Sequence, residues 1–283
     1  MGEKMKTVLL TGSGGFVGKN LKPHFENLGW RVIAPRSAEY DFTDKKTVLS
    51  LAQSARADAY VLAGFYGIED IHITQSDAIE KNLAIFNNFI AASEGKTVIT
   101  FGSGAEFDKS RPIVKAKESD LGKVIPQNVY GKAKYLISQE IKKYQNAYNL
   151  RLFGVYGPHE REQRFITYAI MQNLKKEPIN INQNVVFDYL YAEDLCKAVG
   201  EFIKNPPSER FINMTPPKST DLINICNIIN KISSFKSPVN IIKPGLNNEY
   251  TGDNAVLQKM LPGFAFTSYE DGIKKFYNYL KNN

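Results

Sequence analysis

The chain of 283 residues has little of what builds metal sites and disulfide frameworks. It contains two cysteines, Cys196 and Cys226, and three histidines, His24, His72 and His159. The cysteines do not lie at a spacing typical of a disulfide pair or a zinc site, and the histidines are scattered along the chain. We therefore expect no metal site, and the low cysteine content is typical of a reducing cytoplasm.

Long apolar runs are also missing. No run approaches the roughly 20 apolar residues that a membrane-spanning helix needs, so we expect no membrane partner. Residues 1–6 lead straight into a candidate strand, so we expect no secretory signal.

The charge balance is positive, with a formal net charge of +7. An excess of this sign favours anionic partners. The lysines are spread along the chain and no basic block alternates with aromatic residues, so we expect no nucleic-acid partner. A phosphate-rich cofactor and substrate would account for the surplus, and so would an ordinary solvated lysine surface.

Short apolar segments alternate with amphipathic stretches over the first half of the chain. The predicted strands cover residues 6–10, 31–34, 59–63, 97–101 and 149–155. The predicted helices cover residues 15–28, 47–55, 77–93 and 130–145. Strands that alternate with helices indicate an α/β fold with a Rossmann-type doubly wound parallel sheet.

The pattern changes beyond residue 157. Helices are predicted at 165–175, 193–204, 221–232 and 269–281, and a strand at 185–191. We therefore predict a dinucleotide-binding domain over residues 1–157 and a smaller, mainly substrate-binding lobe over residues 158–283. Some segments of the lobe are expected to return to the main domain.

A glycine-rich turn follows the first predicted strand. Residues 11–18 read T-G-S-G-G-F-V-G, with glycines spaced G-x-x-G-x-x-G. In such a turn the first glycine permits the sharp bend, the second lets the backbone approach a pyrophosphate, and the third lets the helix pack against the strand. The start of the helix then faces the phosphates. The predicted dinucleotide-binding residues of the turn are Gly12, Ser13, Gly15, Phe16, Val17 and Gly18.

Tyr130 and Lys134 form the second motif. A tyrosine and a lysine four residues apart in a helix lie on the same face. The ammonium group would lower the pKa of the phenol by stabilising its ionised form, which makes the tyrosine a usable acid or base near neutral pH. This spacing is common by chance, but together with the glycine-rich turn it indicates an oxidoreductase that uses a nucleotide cofactor.

Both motifs resemble those of the extended short-chain dehydrogenase/reductase family of NAD-dependent epimerases and dehydratases, and the resemblance covers nearly the whole chain. Asn82, the residues 156–158 (Y-G-P) and the block 187–194 are also similar to family elements. The resemblance implies a triad in which Ser103, in an S-x-x-x-[YF] segment, joins Tyr130 and Lys134. Ser103 would hydrogen-bond the sugar oxygen, Tyr130 would pass the proton, and Lys134 would hold the nicotinamide ribose. The alternative for Ser103 is a turn serine among glycines.

The resemblance also implies a choice of cofactor. NAD-selective members usually carry an acid after the second strand, where it pairs with the ribose 2′-hydroxyl. This chain has Arg36 and Ser37 there, and a guanidinium and a hydroxyl suit a 2′-phosphate. NADPH is therefore expected in preference to NAD, and an exposed arginine without a cofactor contact is the alternative. The cofactor-binding residues predicted outside the turn are Arg36, Ser37, Asp41, Phe42, Ala63, Gly64, Tyr130, Lys134, Phe153 and Val155.

Departures from the family narrow the chemistry. The family's sugar dehydratases place Asp-Glu directly after the triad hydroxyl residue, whereas Gly104 and Ala105 cannot move a proton, so dehydration is not expected. Within the family the chain looks most like the GDP-fucose synthase-like nucleotide-sugar 4-reductases. The epimerising Cys of that group would fall at Ala105 and its epimerising His near Arg164. A reductase without epimerase residues therefore fits better than a bifunctional enzyme.

The substrate side matches less well. The family's asparagine in N-x-Y-G-P is Gly154 here, and the arginine of its R-D-[FY] element is Phe187. Arg161 and Arg164 would supply positive charge or would be solvated surface, and Phe187 would contact a base or sugar or would belong to the core. The predicted substrate-binding residues are Ser103, Gly104, Ala105, Arg161, Arg164 and Phe187.

These matches favour an NADPH-dependent C4 reductase of a nucleotide-linked 4-keto sugar, a GDP-linked 6-deoxyhexose or heptose, in surface-polysaccharide precursor synthesis. The alternative is a UDP-sugar C4 epimerase that keeps its NAD through a full oxidation–reduction cycle. A third hypothesis is a non-catalytic NADP-sensing protein, against which the intact Tyr130 and Lys134 argue. The family implies a cytoplasmic homodimer that pairs through the helices at 77–93 and 130–145.

Overall fold

The computed structural model describes residues 5–69, 72–73 and 77–283. Residues 1–4, which the sequence places directly before the first strand, lie outside the described residues. The strands are β1 (Thr7–Thr11), β2 (Arg31–Ile33), β3 (Ala59–Leu62), β4 (Ile68–Glu69), β5 (His72–Ile73), β6 (Thr97–Ser103), β7 (Ile113–Ala116), β8 (Ala147–Leu152), β9 (Gly154–Tyr156), β10 (Ile179–Asn184), β11 (Val186–Phe187), β12 (Tyr189–Tyr191), β13 (Phe211–Met214), β14 (Thr220–Asp221), β15 (Val239–Leu246) and β16 (Tyr250–Gly252).

The helices are α1 (Phe16–Asn27), α2 (Lys45–Ala55), α3 (Ala78–Ala92), α4 (Val129–Ile141), α5 (Phe165–Leu174), α6 (Ala192–Lys204), α7 (Leu222–Ile232), α8 (Ala255–Met260) and α9 (Tyr269–Asn282). Two short 3₁₀ turns cover Gly104–Phe107 and Glu118–Asp120. Within the described part of the chain, no helix is both long enough and apolar enough to cross a membrane.

A parallel sheet forms the centre of the fold. Its strands follow the order β13-β8-β6-β3-β1-β2, and each neighbouring pair runs parallel. Since β1 pairs with β2 on one side and with β3 on the other, the chain changes its direction across the sheet at β1. Doubly wound sheets bind ligands at such a switch point, beyond the carboxyl ends of the strands. The predicted doubly wound α/β fold is confirmed.

Strand β1 is buried on both faces, which explains its unbroken apolar sequence. Val8 and Leu10 pack in a core with α1, α6 and α8, whereas Leu9 packs in a second core with α2, α3 and α4. Successive residues of a strand point to opposite faces, so the sheet separates two layers of helices. This sandwich holds the strand ends and the helix starts in a fixed relation.

The second half of the chain extends the sheet and builds a further core. β13 pairs with β8, and α6 packs against α1 in the same core. Helices α5, α7 and α9 pack with β10 and β12 around a separate apolar cluster. A smaller sheet has the order β14-β11-β16-β7. Segments beyond residue 157 therefore return to the main sheet, while the division at that residue stays a prediction.

Most predicted elements correspond to observed ones within a few residues. The helix predicted at 130–145 ends earlier, at Ile141. The strand predicted at 149–155 is two strands, because the chain leaves the main sheet after Leu152 and β9 pairs with β12. The strand predicted at 185–191 is interrupted at Asp188, whose carboxylate accepts a hydrogen bond from the Gly252 amide. The sequence pattern does not predict β4, β5, β7, β10, β13, β14, β15, β16 or α8, whose segments are short or lack a clear period.

Candidate active site

The turn after β1 has no room for side chains at two of its glycines. Gly12 has a φ of +69°, and a Cβ there would lie 2.3 Å from the Gly64 nitrogen. A Cβ on Gly18 would lie 2.1 Å from the Gly12 carbonyl oxygen. The Gly15 amide donates to that same oxygen over 3.0 Å. The first and last glycines are therefore required by the sharp bend and by the close packing of helix against strand.

Helix α1 begins directly behind this turn. Its N-cap is Gly15, which has no side chain to accept from the first amides, and its first turn reads F-V-G-K, with no carboxylate. A Cβ on Gly14 would meet no atom of the described residues within 4 Å, so the turn has open space beside it. Amides and the positive end of a helix dipole at an open site favour an anion. The predicted phosphate-binding residues, Gly12, Ser13, Gly15 and Gly18, fit the pyrophosphate of a dinucleotide.

Arg36 and Ser37 follow β2 and are exposed. The Arg36 side chain is 74% exposed, and its Nη1 lies 3.9 Å from Glu39 Oε1. A surface pair at this distance holds its partners weakly. The guanidinium is therefore accessible to a second anion.

Asp41 and Phe42 differ in the exposure of their side chains, and therefore in what each could offer a cofactor. Asp41 is exposed, and the Thr43 hydroxyl and amide donate to its carboxylate, which lowers the pKa of that carboxyl. The Phe42 ring is buried in the core, with its centroid 5.4 Å from that of Phe89. Packing against α3 thus turns the Phe42 side chain into the core, so the predicted contact of this residue with a cofactor would be made by its backbone.

A cavity of about 620 Å³ opens where β1, β3, β6 and β8 end. This volume is ordinary for a small-molecule site, where about 300–1,000 Å³ is typical. The predicted residues that line it are Phe16, Val17, Ala63, Ser103, Ala105, Tyr130, Lys134, Phe153, Val155, Arg161, Arg164 and Phe187. The predicted residues outside its lining are Gly12, Ser13, Gly15, Gly18, Arg36, Ser37, Asp41, Phe42, Gly64 and Gly104.

Lys134 lies one turn after Tyr130 on α4. Its Nζ donates to the Phe101 carbonyl over 2.7 Å and lies 4.3 Å from the centroid of the Phe65 ring. Burial lowers the pKa of this ammonium group to about 8, while the Glu106 carboxylate opposes the shift. The lysine therefore begins to lose its charge slightly above neutral pH.

Tyr130 departs from one prediction. Burial raises the pKa of its phenol, and the Ser103 hydroxyl offsets part of the rise. The predicted lowering by Lys134 is wrong for this arrangement, because desolvation dominates and Nζ is turned to the Phe101 carbonyl, 6.0 Å from the centroid of the phenol ring. Tyr130 is therefore protonated at neutral pH and suited to donate a proton.

Ser103 ends β6 and caps the 3₁₀ turn that follows. Its amide donates to Glu106 Oε1 over 2.9 Å, and its Oγ accepts from the Ala105 amide over 3.2 Å. These reciprocal bonds form a capping box, which fixes the direction of the side chain. The same Oγ lies 3.5 Å from the phenol oxygen of Tyr250. The structure therefore brings Ser103 together with Tyr250, which the sequence pattern does not predict, and Tyr130 lines the same cavity.

A buried ion pair lies behind the three predicted catalytic residues. The side chains of Glu106 and Arg151 are fully buried, with 3.0 Å between Oε2 and Nε. The same carboxylate accepts from the Ser138 hydroxyl over 2.6 Å, and Ser138 lies one turn after Lys134 on α4. Glu106 thus connects the strand end that carries Ser103 to the helix that carries Tyr130 and Lys134.

Charged residues line part of the cavity wall. Glu160 Oε1 lies 3.7 Å from Arg164 Nε, and its Oε2 accepts from the Thr167 hydroxyl over 2.7 Å. Burial raises the pKa of the Glu160 carboxyl to about 7. Lys109, an exposed residue, also lines the cavity. With Arg161 on the same wall, this group of charges fits an anionic substrate.

Phe187 lines the cavity and is packed as a core aromatic at the same time. Its ring stacks on that of Tyr189 with a centroid distance of 4.9 Å and lies 4.8 Å from that of Tyr250. The ring is therefore held in a fixed orientation at the cavity wall.

Several residues of this site carry no role in the sequence pattern, among them Glu106, Lys109, Glu160 and Tyr250. Tyr250 lies in a stretch without a motif, and pairing of β16 with β11 and β7 brings it to the cavity. Lys109 and Glu160 each lie two residues beyond a segment that resembles the family, and Glu106 lies inside one. Charged residues beside a motif are a signal by which these three could have been found.

The sequence profile of the NAD dependent epimerase/dehydratase family matches residues 8–214, well over half of the chain. The chain belongs to this family. The matched region runs from β1 to β13 and contains the glycine-rich turn, Ser103, Tyr130 and Lys134. This assigns the protein to the enzymes of the extended short-chain dehydrogenase/reductase type, as the sequence motifs predict.

Two curated relatives show the range within the family. ADP-L-glycero-D-manno-heptose-6-epimerase from Pseudomonas aeruginosa is 25% identical over 206 residues, which span 60% of this chain and 58% of that protein. GDP-L-colitose synthase from Yersinia pseudotuberculosis is 22% identical over 259 residues, which span 81% of this chain and 82% of that protein.

Solved structures share the fold over nearly the whole length. A GDP-L-fucose synthetase from Naegleria fowleri, bound to NADP, has a TM-score of 0.83 at 15% identity and covers 98% of this chain and 93% of that chain. A GDP-mannoheptose C4 reductase from Campylobacter jejuni, with NADP bound, has a TM-score of 0.80 at 16% identity and covers 98% of both chains. The TM-scores show that these proteins share the fold of this chain, and at sequence identities this low the likeness shows the fold alone.

Proposed function

We propose that the protein is an NADPH-dependent C4 reductase of a nucleotide-linked 4-keto sugar. The observation that carries the proposal is the convergence of Ser103, Tyr130 and Lys134 in one cavity, beside Gly104 and Ala105. Reduction of a ketone needs a proton donor and a hydroxyl that polarises the carbonyl. The triad supplies both, whereas Gly104 and Ala105 have no side-chain group that moves a proton.

The residues would act as follows. NADPH, held on the glycine-rich turn, would supply the hydride to the carbonyl carbon. Ser103 donates a hydrogen bond to the carbonyl oxygen and polarises it. Tyr130, protonated because burial raises its pKa, gives its proton to the alkoxide that forms. Lys134 would hold the nicotinamide ribose through its ammonium group.

Arg36 and Ser37 support NADPH as the cofactor. Both are exposed beside the end of β2, and a guanidinium binds a phosphate through charge-assisted hydrogen bonds. The Naegleria fucose synthetase and the Campylobacter mannoheptose reductase, which share the fold, were both solved with NADP.

A GDP-linked 6-deoxyhexose or heptose is the proposed substrate, in the cytoplasmic synthesis of surface-polysaccharide precursors. The relative from Yersinia and the structure from Campylobacter are named as enzymes of GDP-linked sugars. Lys109, Arg161 and Arg164 on the cavity wall would meet the diphosphate. The proposed assembly is a homodimer through α3 and α4.

The first test is a titration of the cofactor-stripped protein with NADPH and with NADH, followed by turnover of GDP- and dTDP-linked 4-keto sugars. The proposal requires tighter binding of NADPH and consumption of NADPH with a 4-keto sugar. Tight, stoichiometric NAD⁺ together with interconversion of UDP-hexoses would overturn it in favour of the C4 epimerase.

Solvent isotope labelling tests the absence of epimerisation. In deuterated water the product of a reductase without an epimerising base should carry no deuterium at C3 or C5. Deuterium at either carbon would show that another cavity residue exchanges those protons. Tyr130→Phe should abolish turnover while cofactor binding stays, and unchanged turnover would remove the triad from the mechanism.

A further inference from the structure

The phenol of Tyr250 lies beside the hydroxyl of Ser103, although the two residues are 147 positions apart in the sequence. The Tyr250 side chain is buried, with 5% exposed, and its phenol oxygen lies 3.5 Å from Ser103 Oγ. The ring packs between those of Phe153 and Phe187, with centroids at 5.1 and 4.8 Å. The Lys109 ammonium lies 4.7 Å from the centroid of the ring. Packing on these sides fixes where the hydroxyl points.

The strand that carries Tyr250 is held in place by its neighbours. β16 pairs with β11 through Phe187 and with β7 through Ile113. The Gly252 amide donates to the buried Asp188 carboxylate over 2.8 Å. A central strand with a buried side-chain anchor is a rigid support for a functional group.

Gly104 makes the approach of Tyr250 to Ser103 feasible. A Cβ on Gly104 would lie 2.7 Å from the Tyr250 phenol oxygen and 2.7 Å from Phe153 Cδ1. Real side chains do not approach this closely, so the phenol occupies the space that a side chain at position 104 would fill. The glycine and the tyrosine are therefore complementary.

The hydrogen bonds that the Ser103 hydroxyl makes leave one position for a donor, which Tyr250 can fill. A serine hydroxyl donates one hydrogen bond and accepts two. One acceptor position is taken by the Ala105 amide, which leaves one proton and one lone pair. Among the described residues, the Tyr250 phenol lies within hydrogen-bond distance of this hydroxyl, and Tyr130 lines the same cavity. In the proposed reduction Tyr130 gives its proton to the substrate oxygen, so Tyr250 is the donor for the remaining lone pair.

We infer that Tyr250 is a positioning residue: it donates its hydroxyl proton to Ser103 Oγ and so directs the serine's own proton to the carbonyl oxygen of the substrate. The inference rests on the proposed function, because it requires Tyr130 to be the proton donor. Burial raises the pKa of Tyr250, which keeps its phenol a donor across the working pH range. The separation of 3.5 Å is that of the free enzyme, and such bonds shorten when substrate binds.

The test is a double-mutant cycle on the full chain with Tyr250→Phe and Ser103→Ala. Tyr250→Phe keeps the ring and should lower kcat about three- to tenfold, as expected for one neutral hydrogen bond, with little change in KM or in NADPH affinity. In the Ser103→Ala background the same substitution should change nothing further. Tyr277→Phe, another buried tyrosine whose hydroxyl bonds Asn173, is the matched control and should leave kcat unchanged.

Each other outcome overturns the inference. A kcat equal to that of the wild type does so directly, and an equal loss in both backgrounds would show that Tyr250 acts independently of Ser103. A change confined to KM would make it a binding residue. If Tyr250→Phe fails to fold, Gly104→Ala, which displaces the phenol, should give the same kcat loss, and unchanged activity would refute the inference.

The results that would refute the proposed function differ from those that would refute the role of Tyr250. If the wild type interconverts UDP-hexoses and reduces no 4-keto sugar, the proposed reductase is wrong, and the same cycle measured on the interconversion still decides the role of Tyr250. A wild type that performs neither reaction overturns both.

Discussion

Glu106→Gln tests whether the buried ion pair supports the triad. Glu106 Oε1 accepts from the Ser103 amide, and Oε2 accepts from Arg151 Nε and the Ser138 hydroxyl. Glutamine has the same shape, but one oxygen becomes an NH₂ group, which faces an N–H donor whichever way it turns. The Arg151 charge also loses its buried counter-ion.

The expected loss of stability follows from this arrangement. Removing one partner of a buried ion pair costs about 3–5 kcal/mol. The lower end applies here, because Asn213 still accepts from Arg151 Nη1 over 2.9 Å. At about 2–4 °C per kcal/mol for a protein of this size, a loss of about 3 kcal/mol lowers the midpoint of thermal unfolding by roughly 6–12 °C. The free energy of unfolding of a folded domain is only about 5–15 kcal/mol in total, so a loss of this size is large.

Urea unfolding of the wild type and the variant measures the change, with equal m-values as the check that the midpoint shift reports stability. Glu140→Gln is the control, since Glu140 pairs over 2.7 Å with a Lys143 that is 63% exposed, and it should cost less than about 0.5 kcal/mol. A similarly small loss for Glu106→Gln would refute the reasoning. The double variant Glu106→Leu/Arg151→Met should be more stable than Glu106→Leu alone, because it leaves no unpaired buried charge.

Three further predictions concern the cofactor and the titrating groups. Arg36→Ala should weaken NADPH binding at least about tenfold and NADH binding less than about twofold, as measured by fluorescence titration, and equal losses would contradict the 2′-phosphate contact. The kcat/KM should fall as pH rises through about 8, where Lys134 loses the charge that holds the ribose. Lys134→Arg stays charged, so a falling limb that persists in this variant would assign the titration to another group. The KM for a nucleotide sugar should rise as pH increases through about 7, because Glu160 then ionises beside Arg164 and competes with the anionic substrate. Glu160→Gln should flatten this dependence, and an unchanged slope would rule out Glu160 as its source.

Much of the nucleotide-binding half can be predicted because its signals are local. Gly12 and Gly18 mark a turn whose geometry tolerates no Cβ, and the spacing of Tyr130 and Lys134 places both on one helix face. The unbroken apolar run of β1 indicates a strand buried on both faces, and the structure shows this. Residues within one strand, turn or helix are held at fixed relative positions by the backbone, so their spacing in the sequence predicts how they are arranged.

The Phe42 side chain shows where local signals end. The segment that contains it resembles the family beside the cofactor, but its ring packs against Phe89 of α3. Whether the side chain of a loop residue points into the core or to solvent depends on the helices that pack around it, and these helices lie far away in the chain. Exposure of neighbouring Asp41 and burial of Phe42 therefore follow from packing alone.

Short-range spacing and hydrophobic period are enough to predict the doubly wound sheet, the glycine-rich turn and the shared helix face of Tyr130 and Lys134. Ser103 joins this pair through the resemblance to the family. Tertiary structure alone decided the surroundings that set their chemistry. Tyr250 reaches Ser103 through the pairing of strands distant in the chain, and the pKa of Tyr130 rises because its phenol is buried. Desolvation and long-range contacts depend on how the whole chain packs, and no local spacing records them.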